Sequence, residues 1–227
     1  MNINVHAGHN KDGKVGCGAV GLIKESIEAR KVKDEVIRQL KALGHTVYDC
    51  TVDNASSVSK NLSEIVNKCN AHDVDLDVSI HFNFGRNDKK GDGDNAGVEV
   101  WLYNTSSKAK TYAENVCKAV SALGFDNRGV KYSTGLYVLK HTNSPAMLIE
   151  CCFVDDEDDI ALYNYKTMAT AIVKGITGKT EEKTADKKET NTNTNMYRVQ
   201  CGAFSKKENA EALVKKLKSA GFNATII

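Results

Sequence analysis

Along residues 76–82, Leu76, Val78, Ile80 and Phe82 interleave with Asp77, Ser79 and His81. A period of two is that of a pleated strand, so this stretch predicts a strand that delivers His81 at its exit. Residues 2–5 predict another strand, running into a loop at His6-Ala7-Gly8-His9, and residues 146–149 predict a third, running into Glu150. Further strands are expected over 46–50, 97–102 and 136–139. Helical steps of three and four place Ala29, Val32, Val36, Leu40 and Leu43 on one face of a helix over 24–43. The same spacing predicts helices over 57–70, 106–123 and 155–176, the last with Leu162, Tyr165, Ala169 and Ile172 inward. Residues 85–95 are polar and rich in Gly and Asp, which predicts a loop. Strands alternating with helices of this length imply an α/β fold: a mostly parallel, twisted sheet of about six strands with helices on both faces.

The pattern changes at residue 179. Residues 179–194 hold no large apolar side chain and read as a solvated linker between a domain at 1–178 and a tail at 195–227. The tail predicts a small β-α-β unit: a strand over 196–204, a helix over 206–220 with Ala210, Leu213, Leu217 and Ala220 inward, and a strand over 223–227. Such a unit buries too little apolar surface to stand alone and needs a partner surface.

Composition sharpens this picture in three places. The formal net charge of the 227 residues is only +2, which does not point to nucleic acid. The tail nevertheless carries six Lys/Arg against two Asp/Glu, as suits a polyanionic or wall-like partner or simply a solvated lysine face. No apolar run approaches the ~20 residues that span a bilayer, so no membrane partner is expected. Met1-Asn2-Ile3-Asn4 passes directly into strand-like sequence with no visible signal peptide. Seven cysteines without a Cys-x-x-Cys pair read as small core residues of a reduced protein, most plainly Cys50, Cys69, Cys117 and Cys151.

The strand exits carry the chemistry. In open α/β sheets ligands gather where strands end, so parallel strands would bring His9, His81 and Glu150 to one edge. Extending the stripe of the first helix backwards reaches Glu25, a carboxylate on the buried face. It is either a partnered ligand or a first-turn glutamate favoured by the helix dipole. Two imidazoles and a carboxylate, His9, His81 and Glu25, form a standard catalytic zinc set with a position left open. Zinc in such a set polarises a carbonyl and lowers the pKa of water to ~7. Glu150 is then the uncoordinated carboxylate that moves the proton. The loop glycines Gly8, Gly13, Gly16, Gly18 and Gly21 do not have phosphate-loop spacing. His6, His45, His72 and His141 read as surface or turn residues, with His6 and His141 near enough to strand exits to touch substrate or support a ligand.

Several pieces together resemble the zinc-dependent N-acetylmuramoyl-L-alanine amidases of the Amidase_3 type, found in autolysins and phage endolysins. They are Ala7-Gly8-His9, Glu25, Ser79-Ile80-His81-Phe82-Asn83 and the run Pro145-Ala146-Met147-Leu148-Ile149-Glu150-Cys151-Cys152-Phe153, in family order over residues 1–176. The resemblance implies one zinc ion held by His9, Glu25 and His81, with Glu150 catalytic. It implies cleavage of the amide between N-acetylmuramic acid and L-alanine in peptidoglycan, and so cell-wall lysis; with no signal peptide visible, the expectation is synthesis in the bacterial cytoplasm and release to the wall through a holin or through lysis. His6, Asn10 and Cys151-Cys152 depart from the family's usual acidic residue, glycine and Thr-Gly. A zinc peptidase cutting within the stem peptide, or a non-catalytic wall-binding protein, are the alternatives. Tyr197-Arg198-Val199-Gln200-Cys201-Gly202-Ala203-Phe204 resembles the opening of a SPOR domain, a peptidoglycan-binding module, of which the first half is present.

Overall fold

The computed structural model describes residues 1–180 and 207–220. The chain divides into two compact units, Met1–Lys183 and Thr184–Ile227. The first is built on a six-stranded sheet of order β2-β1-β3-β6-β4-β5. Its strands are β1 (Asn2–Ala7), β2 (Thr46–Asp49), β3 (Leu76–Asn83), β4 (Val98–Leu102), β5 (Asn127–Tyr132) and β6 (Ala146–Phe153). β2, β1, β3 and β6 run parallel, β4 is antiparallel to β6, and β5 is parallel to β4. The carboxyl ends of β1, β3 and β6 therefore share one edge, and the reversed β4 begins at that edge.

Alternation along the strands builds the two faces. Ile3, Val5 and Ala7 of β1, and Leu76, Val78, Ile80 and Phe82 of β3, enter the main core with α1 (Glu25–Ala42), α3 (Lys110–Ser121) and α6 (Tyr165–Thr177). The expected α1 stripe of Ala29, Val32, Val36 and Leu40 is fully buried there. The opposite face packs smaller clusters under α2 (Val58–Asn70) and α4 (Tyr137–His141), with Ile65, Cys69 and Val138 in one and Leu139, Leu148 and Trp101 in the other. That second face also buries polar residues: Asn4, His6, Asp77 and Ser79. Asn4 Nδ2 donates to Asp77 Oδ1 at 2.7 Å, tying β1 to β3 beneath the edge where β1, β3 and β6 end.

Two expected elements differ and one strand was not expected. Residues 136–139 are not a strand: Val138 and Leu139 lie in the short helix α4 and plug the second face. The sixth strand is instead Asn127–Tyr132, an edge strand rich in Arg, Gly and Lys whose residues are half-buried or exposed. An edge strand needs no apolar alternation, which is why the pattern did not mark it. The long helix expected over 155–176 is broken into α5 (Glu157–Leu162) and α6, because Asn164 caps α6 by accepting from Lys166 and Thr167 N–H. Leu162 is consequently exposed, while Ala169 and Ile172 keep the inward positions.

In the second unit the expected helix is α7 (Lys207–Ser219). Ala210, Leu213 and Leu217 are half-buried, whereas Ala220 is exposed. The flanking strands expected over 196–204 and 223–227, and residues 181–194 of the expected linker, lie outside the described residues.

Candidate metal centre and active site

The loop after β1, the first turn of α1 and the end of β3 bring His9, Glu25 and His81 together, with one ligand atom from each lying within 4.8 Å of the others. Glu25 is the centre of this trio. Its Oε1 lies 3.0 Å from His81 Nδ1 and 3.3 Å from His9 Nε2, and it accepts from Phe82 N–H at 3.2 Å. Its Oε2 accepts from Ala19 N–H at 2.8 Å. Glu25 is the first residue of α1 and only 3% exposed. The positive end of the helix dipole favours a carboxylate at this point. Burial works against its charge, but the hydrogen bonds from His81 and His9 outweigh it and hold the carboxyl well below the usual range.

Close approach of backbone makes room for the trio. Gly8 N–H donates to Ile80 O at 2.9 Å, which carries the β1–β3 pairing on past the strand end. A Cβ on Gly8 would stand 2.0 Å from His81 Cε1, so any side chain there would displace the ring. A Cβ on Gly18 would stand 2.6 Å from Glu25 Oε2. His9 itself has φ 62°, a left-handed conformation that costs a non-glycine residue about 1 kcal/mol. It is held from both sides: Arg30 Nη2 donates to His9 O at 3.0 Å, and the next residue, Asn10, is pinned. Asn10 is fully buried; its Nδ2 donates to Val15 O and Ala55 O, and its Oδ1 accepts from Ala55 N and Asn61 Nδ2.

Glu150 stands beside the trio. It is the register partner of His81 across β3 and β6, so the two side chains leave the same face of strands about 5 Å apart. Its Oε2 is buried and has no hydrogen-bond partner among the described residues. Burial first, and then the charges of Glu25 and Glu99, push the Glu150 carboxyl from 4.5 up to about 8. A carboxyl in that range can hold or release a proton near neutrality.

The structure adds residues that the pattern did not mark. Glu99 of β4 is the register partner of Glu150 and is buried. It accepts from Asn83 Nδ2 and Trp101 Nε1 at 3.0 Å each, and from Arg128 Nε at 2.8 Å. A glutamate at the start of an apolar strand was the available signal. His6 is not in a loop, as expected, but is a buried residue of β1; burial and then the neighbouring His81 push its pKa down to about 3. His141 is exposed beside Tyr137, and His72 stacks on Tyr48. Glu28, off the buried stripe of α1, is half-buried and accepts from Tyr163 Oη at 3.0 Å.

The acids after β6 serve the loop over 84–97. Asp155 accepts from Gly85 and Asn87 N–H, and Asp159 accepts from Gly97 and Phe153 N–H. Asp88, Asp156 and Asp158 also cluster, but their oxygens are taken by backbone N–H groups and Arg86. Cys50, Cys69, Cys117, Cys151 and Cys152 are buried free thiols, and Cys17 is half-buried. No helix among the described residues is long and apolar enough to cross a membrane.

His9 after β1, Glu25 at the start of α1, His81 of β3 and Glu150 of β6 gather at one edge of the sheet as a candidate metal site with a free carboxyl beside it, and comparison with known proteins gives the family. Residues 3–179 match the profile described as N-acetylmuramoyl-L-alanine amidase, Amidase_3. This chain belongs to that family. Residues 175–227 match the SPOR domain. An uncharacterised protein of Clostridium perfringens is 36% identical over 167 residues, covering 73% of this chain and 48% of the relative. The sporulation-specific N-acetylmuramoyl-L-alanine amidase of Bacillus subtilis is 26% identical over 168 residues, covering 73% of this chain and 62% of that protein. The solved catalytic domain of the CD27L endolysin targeting Clostridia difficile superposes with a TM-score of 0.70 at 26% identity, over 80% of this chain and 99% of that one. The chain spans about half the length of the Clostridium perfringens relatives it matches, 48% and 51%.

Proposed function

We propose that this protein hydrolyses the amide between N-acetylmuramic acid and the L-alanine of the peptidoglycan stem peptide, with zinc held by His9, Glu25 and His81 and with Glu150 as the catalytic carboxylate. The observation that carries this reading is the convergence of the three ligand atoms within 4.8 Å, with Glu150 on the neighbouring strand. The donor set fits zinc: two imidazole nitrogens and one carboxylate oxygen, at a helix start that favours the carboxylate. When bound there, zinc supplies Lewis acidity that polarises the scissile carbonyl and makes water a stronger acid.

The chain's own residues supply the rest. Phe82 and Ala19 N–H groups fix both oxygens of Glu25, so the carboxylate is oriented before anything binds. Glu150 takes the proton of the attacking water and passes it to the departing L-alanine nitrogen. Its raised pKa suits both halves of that transfer, because neither proton state is strongly disfavoured near neutral pH. In this reading residues 1–178 are the catalytic unit, 179–194 the linker and 195–227 a segment that holds peptidoglycan. The place of action is the bacterial cell wall.

Digestion of defined muropeptides with wild type and Glu150→Ala tests the proposal, with new termini identified by mass spectrometry. The expected products are a lactyl carboxylate and an intact stem peptide with a free L-alanine amine. Glu150→Ala is expected to lose on the order of 10³-fold or more in rate while remaining folded. Shortened stem peptides, or an active Glu150→Ala, would refute the reading. Chelation is expected to stop turnover and zinc to restore it.

A further inference from the structure

The loop and strand starts on the far side of Glu150 hold a cation that the proton-transfer step does not use. Arg128 is the second residue of β5, and its side chain is 40% exposed. One end of its guanidinium is anchored: Nε donates to Glu99 Oε2 at 2.8 Å, Nη1 reaches Ala96 O at 3.5 Å, and Cζ lies 5.0 Å over the Phe153 ring. The other end is not. Nη2 has no hydrogen-bond or ion-pair partner among the described residues. Glu99 meets only Nε: its Oε2 accepts from Nε, while its Oε1 is taken by Asn83 and Trp101. The result is a guanidinium pre-oriented by an ion pair and an aromatic face, with Nη2 left as a donor on a partly exposed side chain.

We propose that Arg128 forms a carboxylate subsite that binds the α-carboxylate of the second stem-peptide residue, a D-glutamate linked through its side chain. This rests on the amidase reading above. The spacing suits it. Glu99 and Glu150 are cross-strand partners, and the Arg128 hydrogen bond extends outward from Glu99. The guanidinium therefore stands on the order of 7–10 Å from the Glu150 carboxylate. Two extended residues span roughly 7 Å, which carries a peptide from a scissile nitrogen near Glu150 to the fork. Charge suits it as well. Glu25, Glu99 and Asp155 put carboxylates along this edge, so a substrate carboxylate needs a local cation to enter. The unpartnered Nη2 of Arg128 provides a charge-assisted donor for one.

The test uses two synthetic N-acetylmuramoyl peptides that differ only in whether the D-glutamate carries an α-carboxylate or an α-carboxamide. Wild type is expected to prefer the carboxylate by about 10–100-fold in kcat/KM, mostly through KM. Arg128→Gln is expected to erase that preference, and Arg128→Lys to keep part of it. An equal loss on both substrates in Arg128→Gln would assign Arg128 to support of Glu99 alone and overturn the subsite. Equal turnover of both substrates by wild type would overturn it as well. The wild-type comparison, and inhibition of wild type by the free L-alanyl-D-glutamate product against its α-amide, need no variant to fold. Wild type inactive on both substrates would instead remove the amidase reading, and the subsite with it.

Discussion

Replacing Glu150 by glutamine is expected to abolish activity and to stabilise the metal-free domain, by an amount that grows with pH. The carboxyl ionises at 4.5 when exposed and at about 8 in the fold. Between those values the unfolded chain has released a proton that the folded chain still holds. Stability therefore falls as pH rises through this window, and is flat below and above it. At ~1.4 kcal/mol per pH unit the full window corresponds to about 5 kcal/mol, an upper bound. Relaxation and water entry around a buried ion reduce this to about 1–3 kcal/mol. Glutamine keeps the shape and cannot ionise, so it removes the slope. Urea denaturation of both proteins in chelator at about pH 5 and about pH 8 checks this. At the lower pH the two midpoints should nearly coincide, and at the higher pH the variant should be more stable. Zinc should narrow the gap, because a cation at Glu25 offsets one of the charges that raise the carboxyl. A variant with the same pH slope as wild type would refute the argument.

Two further perturbations follow from the packing. Gly8→Ala places a methyl carbon 2.0 Å from His81 Cε1, so it should lower zinc affinity by on the order of 10–100-fold, read by chelator competition, with circular dichroism unchanged. Asn10→Ala removes a fully buried side chain with four hydrogen bonds and leaves Ala55 and Asn61 groups unpaired. A loss of about 2–4 kcal/mol in urea denaturation is expected, together with weaker metal binding through His9.

The candidate site was legible because each strand that ends there changes from an apolar run to a chemistry-bearing residue: Val5 before His9, Ile80 before His81, Ile149 before Glu150. Glu25 was legible for a related reason, since it continues the buried stripe of Ala29, Val32 and Val36 into the first turn. The strand at Asn127–Tyr132 was not, because an edge strand carries charge where a central strand carries Val or Ile. Leu136 to Leu139 misled for the converse reason: four apolar residues in a row fit a short buried helix as well as a strand. Glu99 and Arg128 escaped because their meaning depends on β4 running backwards. Residue order alone does not announce that reversal, and it decides which end of the strand meets Glu150. His6 fell outside the expected strand because its end was drawn at Val5, two residues short of Ala7, where a histidine next to a glycine-containing loop is ordinary.

The backward run of β4 also divides labour around the cleft. One flank, fed by β1, β3 and α1, carries the three proposed ligands. The other, fed by the entrances of β4 and β5, faces whatever chain lies across it. The segment leading into β4 is stitched down by Asp155 and Asp159 rather than by His9, Glu25 or His81. Exchanging that segment between related chains is expected to retune the choice of wall and leave the three proposed ligands untouched.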